Sequence, residues 1–155
     1  MIPPRAAILF GAAGLLPFLW AAALAQGLPP VPQIAASLHA PKALFGQSAQ
    51  AILLGYGTVI LCFMSGVLWG FATHAPARLR SFAFGASTLP ALYVFFVMPA
   101  GASGISALFW GFLGLLALEL PYIWLRLTPR WWLSLRLPLT AVVCAALYFG
   151  NHGAI

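Results

Sequence analysis

The chain has 155 residues, of which 63% are apolar and only 5% are charged. Because a soluble domain carries about 25% charged residues, this composition excludes an ordinary water-soluble protein and predicts membrane-spanning helices. Seven charged residues are basic and one, Glu119, is acidic. Scattered basic residues of this kind are typical of membrane topology signals, so we expect a lipid bilayer as the partner and no nucleic acid.

Five apolar runs predict an all-α fold, a polytopic membrane helix bundle with five transmembrane helices in a single domain over residues 1–155. The predicted spans cover about residues 6–25, 51–73, 81–98, 104–125 and 136–149. We expect the first run to be retained rather than cleaved as a secretory signal, because about twenty apolar residues can cross a bilayer. Pro17 lies inside this run and predicts a kink, since proline lacks a backbone donor.

The connection over residues 26–50 is rich in proline and too long for a tight turn. We predict that it lies on the membrane surface and includes a short interfacial helix over residues 34–38 or 43–51. The later connections are shorter: a basic loop near residues 75–80, an uncharged turn at 99–103, and a loop over 126–135 that carries arginine and tryptophan.

The basic residues divide unequally between the two sides of the predicted bundle. Lys42 stands alone on one side, and the other side holds Arg5, Arg78, Arg80, Arg126, Arg130 and Arg136. Because positive residues stay on the cytoplasmic side, we predict a cytoplasmic N-terminus and a periplasmic C-terminus. The expected location is the bacterial inner membrane, crossed several times.

Small residues mark one helix as the predicted packing centre. The second span contains Gly57, Cys62, Gly66 and Gly70, and the last two form a GxxxG pair. Such residues let helices approach closely in lipid. We expect this face to pack against other helices of the same chain, with a different subunit as the alternative.

Glu119 lies about six residues from the predicted end of the fourth span, which is roughly 9 Å deep at the rise of an α-helix. An isolated charge at that depth is costly. We therefore expect an ion pair with an arginine from the same side, such as Arg126 or Arg136. A proton or ligand site at Glu119 is the alternative. Pro121 follows two residues later and predicts a bend beside the acid.

Trp131 and Trp132 lie beside arginines at a predicted membrane boundary. Amphipathic indole rings favour that depth, so we expect both residues to act as interface anchors, with a ligand or partner contact as the alternative.

The residues available for chemistry are few. There is no aspartate and one glutamate, which makes a paired-carboxylate mechanism impossible. His39 and His152 are predicted on the periplasmic side and His74 on the cytoplasmic side, and the two cysteines lack the spacing of zinc ligands. We therefore expect no enzyme activity, no cofactor and no metal.

Three strings carry a family resemblance. Gly14–Phe18 (GLLPF) is similar to a first-helix pattern G-L-x-P-F. Trp132–Thr140 (WLSLRLPLT) is similar to a last-loop pattern W-Y-x-x-L-R-x-x-L-T. The most specific string is Tyr56–Gly70 (YGTVILCFMSGVLWG), which resembles Y-G-A-V-I-L-S-F-L-G-G-x-H-W-G. Together they resemble the transmembrane protein 69-like family, a domain of unknown function in proteobacteria and mitochondria.

The resemblance implies a five-helix membrane protein and transfers no activity or site residue. Leu68 stands where relatives often have histidine, so a role shared with the family is expected to be structural.

The sequence favours a non-catalytic integral membrane protein that serves as an accessory or assembly subunit of a larger inner-membrane complex, respiratory or photosynthetic. Few polar groups within the spans and faces of small residues motivate this expectation. The alternative is a protein that binds or transports a small molecule, a lipid or a quinone, which the basic rim and Glu119 motivate.

Overall fold

Helix length and apolar composition set the architecture. The computed structural model describes residues 2–27, 48–98 and 102–152, and every regular element within them is an α-helix. Helices α1 to α6 are Arg5–Ala13, Leu16–Ala25, Ala49–Ala72, Ala77–Val97, Ala102–Trp124 and Trp132–His152. In these residues five stretches are long and apolar enough to cross a membrane, and α1 and α2 together form the first. The predicted all-α bundle with five spans is confirmed.

Large apolar side chains cover the outside of the bundle. Phe82, Phe95 and Trp124 are 73%, 79% and 82% exposed. In water such side chains would form extended apolar patches of the kind that mark membrane contact. In a bilayer they meet acyl chains, and most backbone polar groups of each span are satisfied within its own helix. The chain is therefore a multi-pass membrane protein in a lipid environment.

The first span is interrupted at Gly14 and Leu15, which keep right-handed helical backbone angles. Gly14 ends α1, Leu15 precedes α2, and Pro17 lies in the first turn of α2. Proline cannot donate a hydrogen bond to the residue four positions earlier, so the helix is interrupted directly before it. The Tyr56 hydroxyl donates to the Gly14 carbonyl at 3.1 Å, which ties the break to α3.

Two helices begin four residues earlier than predicted. α4 begins at residue 77 instead of 81, directly after Pro76, because a proline before the first turn is compatible with helix initiation. α6 begins at Trp132 instead of 136. In both cases the first turn contains arginine or tryptophan, which lowers the apolar content without opposing helix formation. The predicted interfacial helix over 34–38 or 43–51 and the turn at 99–103 fall largely outside the described residues.

α3 is the packing centre, as predicted. It packs against α2, α4, α5 and α6, and its buried face includes Leu53, Leu61 and Leu68. Gly57 makes the close approach possible, because a Cβ atom there would lie 2.8 Å from Cδ1 of Leu108 on α5.

Hydroxyl groups join the helices at backbone carbonyls. Ser65 of α3 donates to the Ser87 carbonyl of α4 at 2.5 Å, and Ser87 lies one turn before Pro90. Two tyrosines make similar bonds between helices: Tyr93 donates to the Ala107 carbonyl and Tyr122 to the Ala83 carbonyl. In a membrane these bonds matter because apolar side chains gain little from leaving one apolar environment for another.

Two glycines in α3, two residues apart, predict opposite effects of the same substitution. A Cβ at Gly57 would clash with Leu108, whereas a Cβ at Gly55 would meet nothing within 4 Å among the described residues. We expect Gly57→Ala to lower the free energy of unfolding by about 1–3 kcal/mol through overpacking. Gly55→Ala should raise it by roughly 0.5–1 kcal/mol through helix propensity. Unfolding of the purified protein in detergent checks both, and equal effects at the two positions would contradict the packing.

Candidate functional site

The most distinctive site is a carboxylate buried inside the membrane span. Glu119 on α5 is fully covered, with 0% of its side chain exposed. It lies five residues before the end of α5 at Trp124, so its depth is about 7–8 Å at 1.5 Å per residue. A charge held there requires a partner, since the surrounding helices offer an apolar medium.

α6 supplies both partners of this carboxylate from successive turns. Nε of Arg136 donates to Oε1 at 2.9 Å and to Oε2 at 3.2 Å. The indole Nε1 of Trp132 donates to Oε2 at 2.9 Å. Residues four apart share one face of a helix, so the orientation of α6 alone places both donors on Glu119. Charge-assisted bonds of this kind are stronger than neutral ones.

Both charged residues lie two positions before a proline within a helix. Pro121 follows Glu119 in α5, and Pro138 follows Arg136 in α6. Each proline removes one backbone donor and so interrupts the regular hydrogen bonding of its helix beside the ion pair.

Thr140 extends the donor face of α6 by one more turn. It is 3% exposed, and Trp132, Arg136 and Thr140 follow one another at intervals of four residues. Thr140 is not among the site residues predicted from the sequence, although its spacing from Trp132 and Arg136 was an available signal. This donor face, formed by Trp132, Arg136 and Thr140, borders a cavity that is also lined by residues of the first span.

Arg126 is not the partner of Glu119, in contrast to one of the two pairings expected from the sequence. It is exposed and has a left-handed backbone with φ of 55°. The Leu127 amide bonds the Tyr122 carbonyl and the Arg126 amide bonds the Ile123 carbonyl, which is the hydrogen-bond pattern of a Schellman helix end. The chain therefore turns away from α5 at Arg126, whereas Arg136 is brought back to Glu119 by α6.

The two tryptophans have different environments. Trp131 and Trp132 are both half-buried, with ring centroids 6.1 Å apart. Trp132 turns inward, because its indole bonds Glu119 and its ring packs edge-on against Phe71 at 4.9 Å. The interface-anchor interpretation of Trp132 therefore misses its main contacts, which belong to the buried site.

The GxxxG pair packs against none of the residues that the structure describes. Gly66 and Gly70 are exposed, and a Cβ at either position would meet no atom of the described residues within 4 Å. Cys62 is half-buried at the margin of the same face. Among the described residues, the helix turns Gly57 inward and Gly66 and Gly70 outward, so the packing of these two glycines inside the chain stays a prediction. Gly55 lies on the outward side too, with equally open space.

The remaining candidate residues for chemistry are dispersed. His74 follows α3, and its Nδ1 lies 3.3 Å from the Thr73 hydroxyl. His152 ends α6 and stacks on Tyr148 with ring centroids 4.5 Å apart. Within the part of the chain that the structure describes, no three His, Cys, Asp or Glu side chains form a group able to hold a metal ion. Leu68, at the position where relatives often have histidine, is fully buried in the apolar core.

The ion pair predicts that neutralising Glu119 alone destabilises the protein more than neutralising Glu119 and Arg136 together. Glu119→Gln leaves Arg136 charged in a buried site, and we expect the free energy of unfolding to fall by about 3 kcal/mol. Glu119→Gln combined with Arg136→Gln removes both charges and should recover more than half of that loss. Unfolding of the single variants and the double variant, analysed as a double-mutant cycle, measures the coupling. Additive effects would contradict a direct pair.

The left-handed residue that ends α5 predicts a stabilising substitution. Glycine adopts this conformation without the steric cost of a Cβ atom, so Arg126→Gly should raise the free energy of unfolding by about 1 kcal/mol. Arg126→Ala is the matched control, because it removes the same charge but retains the Cβ atom. A similar gain in both variants would show that charge, and not backbone conformation, is responsible.

Comparisons with known proteins agree with this architecture. The family described as "Protein of unknown function (DUF3429)" has a model that matches residues 3–150. The chain is also 31% identical over 147 residues to Transmembrane protein 69 of Xenopus tropicalis, a match that covers 93% of this chain and 53% of that protein. The chain thus spans about half the length of this relative. No solved structure matches.

The family match covers nearly all of the described helices, and the family resemblance predicted from the three sequence strings is confirmed. The chain belongs to the DUF3429 family of membrane proteins similar to Transmembrane protein 69.

Proposed function

We propose that this membrane protein is a non-catalytic accessory or assembly subunit that binds a larger inner-membrane complex through the outer face of α3. The observation that carries the proposal is the glycine face formed by Gly55, Gly66 and Gly70, where added Cβ atoms would meet open space. The proposed occupant is a transmembrane helix of another protein, because small residues let the backbones of two helices come into contact in lipid.

Glycines on the outward face of a helix need an explanation, because they weaken the helix. Each glycine within a helix lowers its stability by about 0.5–1 kcal/mol relative to alanine. At Gly57 that cost is offset by the close approach of Leu108. At Gly66 and Gly70 nothing in the described residues offsets it, whereas a second helix seated there would gain van der Waals contact along the whole ridge.

The arrangement of polar groups supports a role without catalysis. Glu119, the one acid of the chain, accepts hydrogen bonds from Arg136 and Trp132. These bonds engage both carboxylate oxygens, so the group is held as part of the fold. His74 follows the end of α3, and His152 ends α6. Because these two helices run in opposite directions through the membrane, the two histidines lie at opposite ends of the bundle and are too far apart to act together.

The distribution of arginine supports a cytoplasmic N-terminus in the bacterial inner membrane that we propose as the location. Arg5 begins α1, Arg78 and Arg80 lie in the first turn of α4, and Arg126 and Arg130 lie between α5 and α6. The antiparallel connections bring these positions to one end of the bundle. Positive residues favour the cytoplasmic side. A respiratory or photosynthetic complex of that membrane is the class of partner that we propose.

The glycine face predicts loss of association when it is filled. Gly66→Leu combined with Gly70→Leu should abolish co-purification of a stoichiometric membrane partner in mild detergent. The side chains have room in the isolated chain, and leucine favours helix formation over glycine, so the thermal stability of the isolated protein should not fall. Affinity purification followed by mass spectrometry and thermal unfolding measures both properties.

Gly85→Leu combined with Gly114→Leu is the matched control, since these glycines of α4 and α5 also face open space. This variant should retain the partner. A wild-type protein that purifies only as a monomer, or only with copies of itself, would contradict the proposal. Unchanged co-purification of the variant filled at Gly66 and Gly70 would contradict it as well.

A further inference from the structure

A cavity of about 220 Å³ lies between the broken first span and α6, with α3 and α5 completing its wall. For scale, an apolar cavity of about 150 Å³ holds a benzene molecule. Phe10 and Phe63 border the cavity and are 74% and 64% exposed on the outside of the bundle. The cavity therefore lies beside the lipid-facing surface, where a molecule dissolved in the bilayer can reach it laterally.

The first span closes one side of this cavity, and glycine lets it approach α6 closely there. Gly11 and Gly14 belong to its wall. A Cβ atom at Gly11 would lie 3.1 Å from Cδ1 of Leu139, another wall residue. The break between α1 and α2 lies at the same level, and the Tyr56 hydroxyl holds the Gly14 carbonyl there.

Two wall residues carry buried polar atoms without a partner. Nη2 of Arg136 and the Thr140 hydroxyl each expose less than 1 Å² and make no hydrogen bond within the described ranges 2–27, 48–98 and 102–152. The residues themselves are 7% and 3% exposed. Buried polar groups are almost always hydrogen-bonded, and an unsatisfied one in a native structure calls for an explanation. Here two occur on adjacent turns of one helix face, and both residues line one cavity.

The charge of the site selects the chemistry of its ligand. The guanidinium of Arg136 is already neutralised by Glu119 through Nε at 2.9 Å. An anion bound in the cavity would add an unpaired charge to an apolar site, which is unfavourable. A neutral acceptor instead satisfies the free N–H and O–H donors without disturbing the ion pair.

We propose that this cavity is a binding site for a neutral lipophilic molecule whose head carries a carbonyl oxygen. The carbonyl accepts hydrogen bonds from Nη2 of Arg136 and from the Thr140 hydroxyl, after a side-chain adjustment that uncovers these atoms. The apolar part of the molecule fills the space between Phe18, Met64 and Val143 and leaves the cavity past Phe10 and Phe63. A quinone ring and the ester carbonyl of a neutral glycerolipid share this chemistry.

Ligand titration of the purified full chain tests the proposal. The probes are a short-chain benzoquinone, dioctanoylglycerol and a carbonyl-free alkylbenzene of similar size, each followed by tryptophan fluorescence because Trp132 belongs to the cavity wall. At least one carbonyl probe should bind saturably at one site per chain, and the tighter of the two identifies the source of the carbonyl. The Kd of that probe should rise roughly three- to tenfold in Thr140→Val, as expected for one lost hydrogen bond.

Two comparisons separate ligand binding from a folding effect. Thr140→Val keeps the shape of the side chain and removes a hydroxyl that has no protein partner among the described residues, so its unfolding temperature should equal or exceed that of the wild type. Thr88→Val makes the same change on α4, where the hydroxyl bonds the Gly85 carbonyl, and should leave the Kd unchanged.

The alkylbenzene, which has no acceptor, should bind the wild type and Thr140→Val equally. Absence of saturable binding by both carbonyl probes would overturn the proposal. A Kd for the carbonyl probe that Thr140→Val does not change would overturn it too, whatever the result at the glycine face of α3.

Discussion

A single carboxylate held in lipid constrains this fold more than any other interaction. Glu119 can remain charged at its depth only if a cation from another helix reaches it, and Arg136 does so at 2.9 Å. Trp132 bonds the same carboxylate from one turn earlier in α6. Two contacts from successive turns fix both the rotation of α6 and its position along α5. Apolar packing would set neither so firmly, because leucine packs against lipid about as well as against another helix.

The polar contacts elsewhere in the bundle follow the same logic. Tyr56 reaches the Gly14 carbonyl where the first span is broken, and Ser65 reaches the Ser87 carbonyl one turn before Pro90. In a medium without water, such bonds between helices add to the bonds within each helix. Hydroxyl donors close to two of the helix prolines therefore stabilise the bundle and also determine which helices are neighbours.

The sequence predicts the spans well because hydropathy responds to the bilayer directly, and all five lie close to their predicted places. The errors arise from tertiary contacts and from backbone geometry. α6 begins four residues early because Trp132 is polar enough to end an apolar run, yet its indole is satisfied inside the bundle by Glu119. The side on which the partner of Glu119 lies followed from the topology. The choice of Arg136 over Arg126 depended on a left-handed residue at the end of α5, which no charge pattern reveals.

The glycines show a second limit of sequence reasoning. Spacing says that Gly66 and Gly70 share a face of α3, but not whether that face points inward. Gly57 and Gly55 differ by two residues and point in opposite directions, one against Leu108 and the other into open space. The rotation of α3 about its axis decides which glycines face inward. This rotation is set by the other contacts of α3, above all the hydrogen bonds of Tyr56 to the Gly14 carbonyl and of Ser65 to the Ser87 carbonyl. Tertiary contacts, and not local pattern, thus decide which glycines serve the fold.

The two proposed surfaces meet at Phe63. This residue borders the cavity and is 64% exposed, and it lies one turn before Gly66 on α3. A helix seated on Gly66 and Gly70 would lie close to Phe63 and so close to the lipid-facing side of the cavity, whereas Thr140 and Arg136 lie at its inner wall. Association and ligand binding therefore depend on separate residues but share one boundary. If both occur, a partner on α3 controls how a lipophilic molecule reaches the cavity. The partner does this without itself touching the ion pair of Glu119 and Arg136 that holds the bundle together.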